Sequence, residues 1–296
     1  MKRFGWITAL CLLLLSGCSG AAKSDADLAA PAIAKEKDLR IAVATDTHYL
    51  ASELTDGGAA FKKYVANGDG KALAESDAIV DAFLDGVRAE KADMLILSGD
   101  LTNNGERKSH EKLAKKLEQL EKTGTNVYVI PGNHDINNPW ARSFRGEEQL
   151  KTDSITPDDF RSIYQSFGFN EAVSKDKFSL SYLAKASQDV WLLMLDTSHY
   201  NSNYQLGAPE TEGGLTSGTL DWIKECSKLA QKNGARILPV MHHNLVTHSE
   251  VLSKAIRSIM RMMCAELLLK VGLIWRLAGI FTHRTSRRKN INPAKR

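Results

Sequence analysis

Val127-Tyr128-Val129-Ile130-Pro131-Gly132-Asn133-His134-Asp135 is an apolar run that stops on a Pro-Gly turn and then delivers an amide, an imidazole and a carboxylate in succession. Val127–Ile130 has no polar alternation, so it predicts a strand buried on both faces, as in a sheet covered by helices. Leu39–Thr45, Met94–Ser98, Phe178–Leu183, Val190–Leu195 and Ile237–Met241 predict further strands. Between them, Lys71–Lys91, Lys108–Lys122, Pro157–Phe167 and Ser217–Asn233 have helical periodicity. Thr156 before Pro157 marks a helix start, and Asn233-Gly234 marks an end. Alternation of strand and helix predicts a layered α/β domain. In open α/β sheets, ligands gather at the C-terminal ends of the strands.

Four strand ends are polar: Thr45-Asp46-Thr47-His48, Ser98-Gly99-Asp100-Leu101-Thr102-Asn103-Asn104-Gly105, the segment ending in Asp135, and Met241-His242-His243-Asn244. Singly, each is weak, because an Asp at a strand end is most often a turn or cap residue. Together they bring two Asp, an Asn and three or four His to one edge on rigid supports. Oxygen and imidazole donors without thiolate suit Mn, Fe or Zn in an open site rather than a closed structural zinc site. Asp46 and His48 can turn toward one ion, and a carboxylate such as Asp100 can bridge two. Two cations roughly 3.5–4 Å apart activate a water as hydroxide and neutralise both oxygens of a phosphoryl displacement. Gly99 and Gly132 give the backbone room for that convergence.

Asp-x-His, then Gly-Asp, then Gly-Asn-His-Asp about 30 residues on, then a strand ending in His-His, resembles the calcineurin-like metallophosphoesterases. The resemblance covers roughly residues 39–254 and includes Leu195-Asp196-Thr197-Ser198, Gly214-Leu215 and Leu220-Asp221-Trp222-Ile223. It implies an α-β-β-α sandwich and hydrolysis of a phosphodiester or phosphomonoester by a metal-bridging hydroxide, with two divalent ions (Mn, Fe or Zn) as cofactors. It further implies that Asp46 and His48 hold the first metal, Asp100 bridges, and Asn133 and His242 hold the second. His134 then stabilises the transition state and protonates the leaving oxygen, with Asp135 orienting its ring. His243 reads as support rather than ligand. His110, His199 and His248 read as solvated loop or helix-surface histidines. Loops 49–70 and 136–156 are where selectivity would arise, and the latter carries Trp140, Arg142 and Arg145, whose arginines read equally as phosphate contacts or as surface charge.

The family's final signature, Gly-His-x-His, completes one metal with each histidine, and this chain lacks it. The only histidine after His248 is His283, and composition shifts near Lys254 toward Arg, Met and Ile. Encoded as TTA GCG GGC ATA TTC ACA CAC AGG ACA TCA, Leu277–Ser286 read one base earlier gives Ser-Gly-His-Ile-His-Thr-Gln-Asp-Ile. The same shift from Val271 permits Gly-Val-Asp-Leu-Ala-Phe, an apolar strand leading into the motif. Residues 255–296 therefore read as an out-of-frame rendering of the C-terminal part, which leaves the fold's last part incomplete. A basic amphipathic tail that binds a membrane surface or nucleic acid is the alternative.

Composition sets the outer limits. The 296 residues are 43% apolar and 25% charged with four cysteines, which excludes disordered, collagen-like and disulfide-scaffold classes. Residues 255–296 hold ten Lys/Arg against Glu266 alone, so the overall +4 less +9 in the tail leaves −5 for the rest. An acidic body argues against a nucleic-acid partner. Lys2, Arg3 and the apolar run Ile7–Leu15 read as a secretory signal, and Leu15-Ser16-Gly17-Cys18 resembles a bacterial lipobox with Cys18 as the lipidated residue. The expected organisation is signal peptide 1–17, tether 18–38, catalytic domain 39–254 and tail 255–296. The expected setting is the extracytoplasmic face of a membrane, reached through a lipid anchor, with a small phosphate ester as substrate. A non-catalytic surface lipoprotein that keeps the fold is the alternative function.

Overall fold

The computed structural model describes residues 33–34, 38–68 and 70–244. The signal segment, Cys18, most of the tether, His248, Cys264, His283 and the tail from 255 lie outside the described residues.

β1 (Ile41–Ala44), β2 (Met94–Ser98) and β3 (Asn126–Ile130) form an all-parallel sheet in that order. Ala44 is level with Leu97, and Ser98 with Ile130. The three loops that follow therefore leave the sheet side by side. Between these strands lie α1 (Ala59–Ala66), α2 (Ser76–Ala89) and α3 (Arg107–Glu121). A hairpin of β4 (Arg142–Arg145) and β5 (Glu148–Lys151) follows, then α4 (Pro157–Ile163). The second sheet has the order β6 (Ala172–Lys175), β7 (Tyr182–Lys185), β8 (Val190–Leu195), β9 (Arg236–Met241), with only the β8–β9 pair parallel. The short α5 (Asn203–Leu206) and the long α6 (Ser217–Lys232) lie between β8 and β9.

Leu192 and Met194 of β8 share one buried core with β2, β3, α2 (Val80, Leu84, Val87) and α3 (Leu113, Leu117, Leu120). Trp191, Leu193 and Leu195 alternate to the opposite face, where α6, packed on β9, buries Leu220, Ile223, Cys226 and Ala230. Sheet on sheet with helices outside is the layered α-β-β-α arrangement that the sequence implies. Burial pushes the Cys226 thiol up to about 12, so this cysteine is packing.

Three local expectations need correction. The strand expected at Phe178–Leu183 begins only at Tyr182. Asp176 accepts from the Phe178 N–H and from the hydroxyls of Ser179 and Thr219, which closes a turn there and leaves Phe178 exposed. The helix expected over Lys71–Lys91 starts at Ser76, after a separate turn at Leu73–Glu75. The helix expected over Pro157–Phe167 ends at Ile163, and the chain bends to Gly168 at φ +101°. Its start follows the sequence: the Thr156 hydroxyl accepts from the Asp159 N–H while the Asp159 carboxylate accepts from the Thr156 N–H.

Candidate metal centre

The loops after β1 and β2 are laced together by their backbones. Asp46 N–H donates to the Gly99 carbonyl at 3.1 Å, His48 N–H to Asp100 at 3.0 Å and Tyr49 N–H to Leu101 at 3.0 Å. To follow this path Asp46, His48 and Asp100 adopt φ of 55°, 40° and 49°, the left-handed region that favours glycine. Among the described residues only Lys91 and Asn137 join them as non-glycines at positive φ. Strain of roughly 1–3 kcal/mol per residue, concentrated on three candidate ligands, is characteristic of a functional site. Gly99 and Gly132 touch backbone to backbone: a Cβ on Gly99 would lie 2.7 Å from His242 Nδ1, and one on Gly132 would strike Asp100 itself.

Asp46, Asp100 and His242 offer donor atoms that all lie within 4.8 Å of one another. His48 Nε2 is 3.8 Å from Asp46 Oδ1 and 3.7 Å from Asp100 Oδ2, and His242 Nε2 is 3.5 Å from Asp100 Oδ2. Asn133 Oδ1 lies 3.2 Å from His242 Nε2. Metal bonds of about 2.0–2.2 Å place neighbouring donors roughly 3.0–3.5 Å apart and opposed donors about 4.2 Å apart, so these spacings suit ligands that share cations. Asp100 is the hub. Its Oδ1 accepts from the His134 N–H at 2.9 Å, and Oδ2 faces both imidazoles. All five residues read from the sequence as metal ligands are thus brought together.

Two further features prepare the donors. His242 Nδ1 lies 3.0 Å from the Ser98 carbonyl, which can only accept, so Nδ1 carries the hydrogen and Nε2 is the atom turned to the centre. Thr45 donates to Asp46 Oδ2 at 2.6 Å, leaving Oδ1 for the site. Burial, aided by Lys71 and His134, lowers His48 to about 4 and keeps it a neutral donor, against the pull of Asp100 and Asp46. Burial also opposes charge on His242, yet Asp100 outweighs it and raises that histidine to about 9. The buried carboxylate therefore attracts positive charge into the centre, and the donor set fits divalent cations.

His134 stands beside this cluster, its ring 5.1 Å from that of His48. Its Nδ1 meets two acceptors, Asn104 Oδ1 at 3.0 Å and the Asn103 carbonyl at 3.1 Å, which leaves Nε2 as the basic atom. Burial lowers its pKa. Asp135 does not orient this ring, contrary to the sequence expectation. Its fully buried carboxylate accepts from the N–H groups of Leu101, Thr102 and Gly132 and from the Thr102 hydroxyl. Burial and the neighbouring Asp100 push Asp135 up to about 7 against those donors. It is a post that ties the β3 loop to the β2 loop. The orienting residue is Asn104, whose amide also donates to Tyr64 Oη at 3.1 Å. The run Asn103-Asn104-Gly105 was visible in the sequence, but nothing there distinguished its amides from ordinary turn residues.

The remaining histidines divide. His243 Nδ1 pairs with the Thr197 hydroxyl at 2.7 Å, and its ring packs on Gly213. His199 is exposed. His110, expected on the helix surface, is fully buried: Nδ1 meets Tyr164 Oη at 2.8 Å and Nε2 meets the Asp135 carbonyl at 3.0 Å. Arg145 is tied to the carbonyls of Phe144 and Glu53 and turned from the centre, whereas Trp140 and Arg142 border a recess that His134 also lines.

Residues 39–272 match the family model described as calcineurin-like phosphoesterase. That match runs past residue 254, where composition changes, into residues beyond those described. Among solved structures, a dimetal phosphatase from Danio rerio is similar over 78% of this chain and 77% of its own, at 14% sequence identity and a TM-score of 0.51, a likeness of fold. No curated protein matches the chain.

Proposed function

The chain belongs to the calcineurin-like phosphoesterase family and is a phosphoric ester hydrolase; on that premise we propose that it cleaves a small phosphate ester at two divalent cations. The convergence of Asp46, Asp100 and His242 within 4.8 Å, beside a His134 whose Nδ1 is already held, carries the proposal. Asp46 and His48 would hold one cation and Asn133 and His242 the other, with Asp100 between them. Bound there, the cations supply an activated water and neutralise charge on the reacting phosphate. The protein's own part is to hold that array rigid and to move one proton: His134 takes it at Nε2 and gives it to the departing oxygen.

The lipobox-like Leu15-Ser16-Gly17-Cys18 supports lipidation at Cys18 and a setting on the extracytoplasmic face of a membrane. One acyl chain binds a membrane only marginally, so stable anchoring calls for the several chains typical of lipoproteins. The tail beyond the family match, which ends at residue 272, reads as an out-of-frame rendering that lacks the Gly-His-x-His pair, so the chain as given is expected to bind metal weakly and turn over slowly. Bis(p-nitrophenyl) phosphate and a panel of monoesters, assayed with Mn²⁺, Zn²⁺ and Fe²⁺ on this chain and on a frame-restored one, test both statements. Faster turnover by the restored chain is expected. Equal rates refute the tail argument, and no turnover by either, with less than one metal per chain, favours the non-catalytic lipoprotein.

A further inference from the structure

We propose that Glu106 is the carboxylate behind His134, a positioning residue that acts on that ring through the Asn103–Asn104 peptide group. The proposal rests on the phosphoesterase reading for what His134 does, and on geometry alone for what holds it. The Asn103 carbonyl accepts from His134 Nδ1 at 3.1 Å. The N–H on the other edge of the same peptide, that of Asn104, donates to Glu106 Oε2 at 3.0 Å. A trans peptide keeps its C=O and N–H rigidly opposed. Imidazole and carboxylate therefore sit at the two ends of one planar unit, and turning that unit breaks both bonds at once.

The rest of the carboxylate holds the same pair of asparagines in place. Glu106 Oε1 accepts from Asn103 Nδ2 at 3.4 Å, and the Arg142 N–H at the start of β4 also donates to the carboxylate. Asn104 Oδ1 is the second acceptor at His134 Nδ1, at 3.0 Å. That residue is gripped from two directions, by Glu106 at its backbone N–H and by Tyr64 Oη at its side-chain amide. Both acceptors of the His134 ring thus lead back to Glu106.

Packing alone does not call for a carboxylate here. Glu106 is fully buried, its partners are N–H groups, and among the described residues no cation pairs with it. Burial pushes its carboxyl up to about 7 against those donors. A buried carboxylate without a cation destabilises the fold, and a neutral amide would satisfy part of the same donors. What the carboxylate adds is charge. It draws on the Asn104 N–H, polarises the peptide and strengthens the Asn103 carbonyl as an acceptor. A firmer bond at Nδ1 fixes the ring and raises the basicity of Nε2, the atom that carries the proton.

Glu106→Gln in the full chain tests this, with rate, stability and ring read separately. Hydrolysis of bis(p-nitrophenyl) phosphate with Mn²⁺, at about pH 8 where the carboxyl is charged, is expected to lose about 10-fold in kcat with KM within about twofold. The melting temperature is expected to stay within about 4 °C of the unaltered chain or to rise, because a buried charge is gone. In the metal-free chain, ¹H–¹⁵N spectra of protein labelled with ¹⁵N-histidine show the hydrogen on His134 Nδ1, its signal identified by its loss in His134→Ala. That signal is expected to move upfield in Glu106→Gln. Glu106→Asp, which keeps the charge on a shorter arm, is expected to give intermediate values of signal and kcat, and serves alone should the amide variant not fold. A signal and a kcat unmoved by these changes overturn the proposal. So does a rate loss that follows lost stability with the signal in place, which makes Glu106 a tie between the β2 loop and β4. A moved signal with no turnover by any chain supports the contact and sinks the phosphoesterase reading alone.

Discussion

The tips of β1, β2 and β3 serve the centre in one way and the tip of β9 in another. The first three are bound to each other: backbone bonds lace residues 46–49 to 99–101, and Asp135 gathers N–H groups from the β2 and β3 loops. Asp46, His48 and Asp100 hold left-handed backbone angles within this lacing. At the β9 tip, two consecutive histidines are held by side chains and carbonyls of other elements, His242 through Nδ1 by the Ser98 carbonyl and through Nε2 beside Asn133 and Asp100, and His243 through Nδ1 by the Thr197 hydroxyl. Among the described residues, His243 Nε2 is buried with no hydrogen-bond partner. One side is organised by its own loops. The other is held by neighbours, which makes it the more sensitive to whatever follows residue 244.

The hub between the two sides gives the largest expected effect. Asp100 Oδ2 lies within 4 Å of both His48 and His242. Asp100→Asn is expected to cost about 10³-fold in kcat/KM on bis(p-nitrophenyl) phosphate with Mn²⁺, because several kcal/mol of charge stabilisation depends on its carboxylate. Bound Mn²⁺, measured by elemental analysis, should fall with it. Retention of metal and rate would show that the sides work separately.

Two glycine substitutions set the sides against each other. A methyl on Gly132 meets the Asp100 backbone and carboxylate, whereas the atoms nearest one on Gly213 belong to the His243 side chain. Gly132→Ala is expected to cost about 3 kcal/mol in urea unfolding and Gly213→Ala about half that, since backbone yields less readily than a side chain. Equal costs would remove the distinction in rigidity.

What could be read in advance follows the same division. β2 and β8 are legible to the residue because continuous apolar runs with turn residues beyond them admit one reading. The ligands were legible because each follows such a run. The β4–β5 hairpin was not: Arg-Ser-Phe-Arg and Glu-Gln-Leu-Lys lack the composition of strands, and β5, exposed throughout, is held by pairing rather than burial. α1 is short, and only Phe61 of it is buried. These two elements wall the recess beside His134, so that part of the molecule was the least visible. Asp135 misled for a different reason. The family resemblance implied contact with His134, but the turn at Gly132–Asp135 sends the carboxylate back under the loop, toward N–H groups that no sequence pattern advertises.

Within the tightly laced side, the His134 ring is oriented by the Asn104 amide and the Asn103 carbonyl. Asn104→Ala removes the side-chain acceptor at Nδ1 and the link to Tyr64, leaving the carbonyl alone. Supporting partners of this kind are typically worth 10- to 100-fold. The expected result is a 10- to 100-fold fall in kcat with KM within about twofold, and Asn104→Asp, which keeps an acceptor, should recover part of it. A change confined to KM would place Asn104 in binding instead.

The smallest effect concerns the support beneath that side and needs no substrate. His110 is wholly buried among Thr102, Tyr164 and Asp135, and burial, with Arg107 nearby, lowers its pKa from 6.5 to about 3. The folded form thus keeps it neutral while the unfolded chain takes up a proton below about 6.5. Between those values the unfolded state binds more protons, so stability present above 6.5 is lost as pH falls, by at most about 1.4 kcal/mol per pH unit. Other buried groups add their own slopes, among them Glu106, which burial raises to about 7 and which therefore favours folding as pH falls. The informative quantity is consequently a difference between proteins. His110→Gln removes the titration while keeping hydrogen-bonding capacity, so its unfolding free energy should decline less from pH 7 to pH 5 than that of the unaltered chain. Parallel declines would mean that His110 is already charged when folded, and that the β2 and β3 loops tolerate a cation where the geometry provides only a neutral ring.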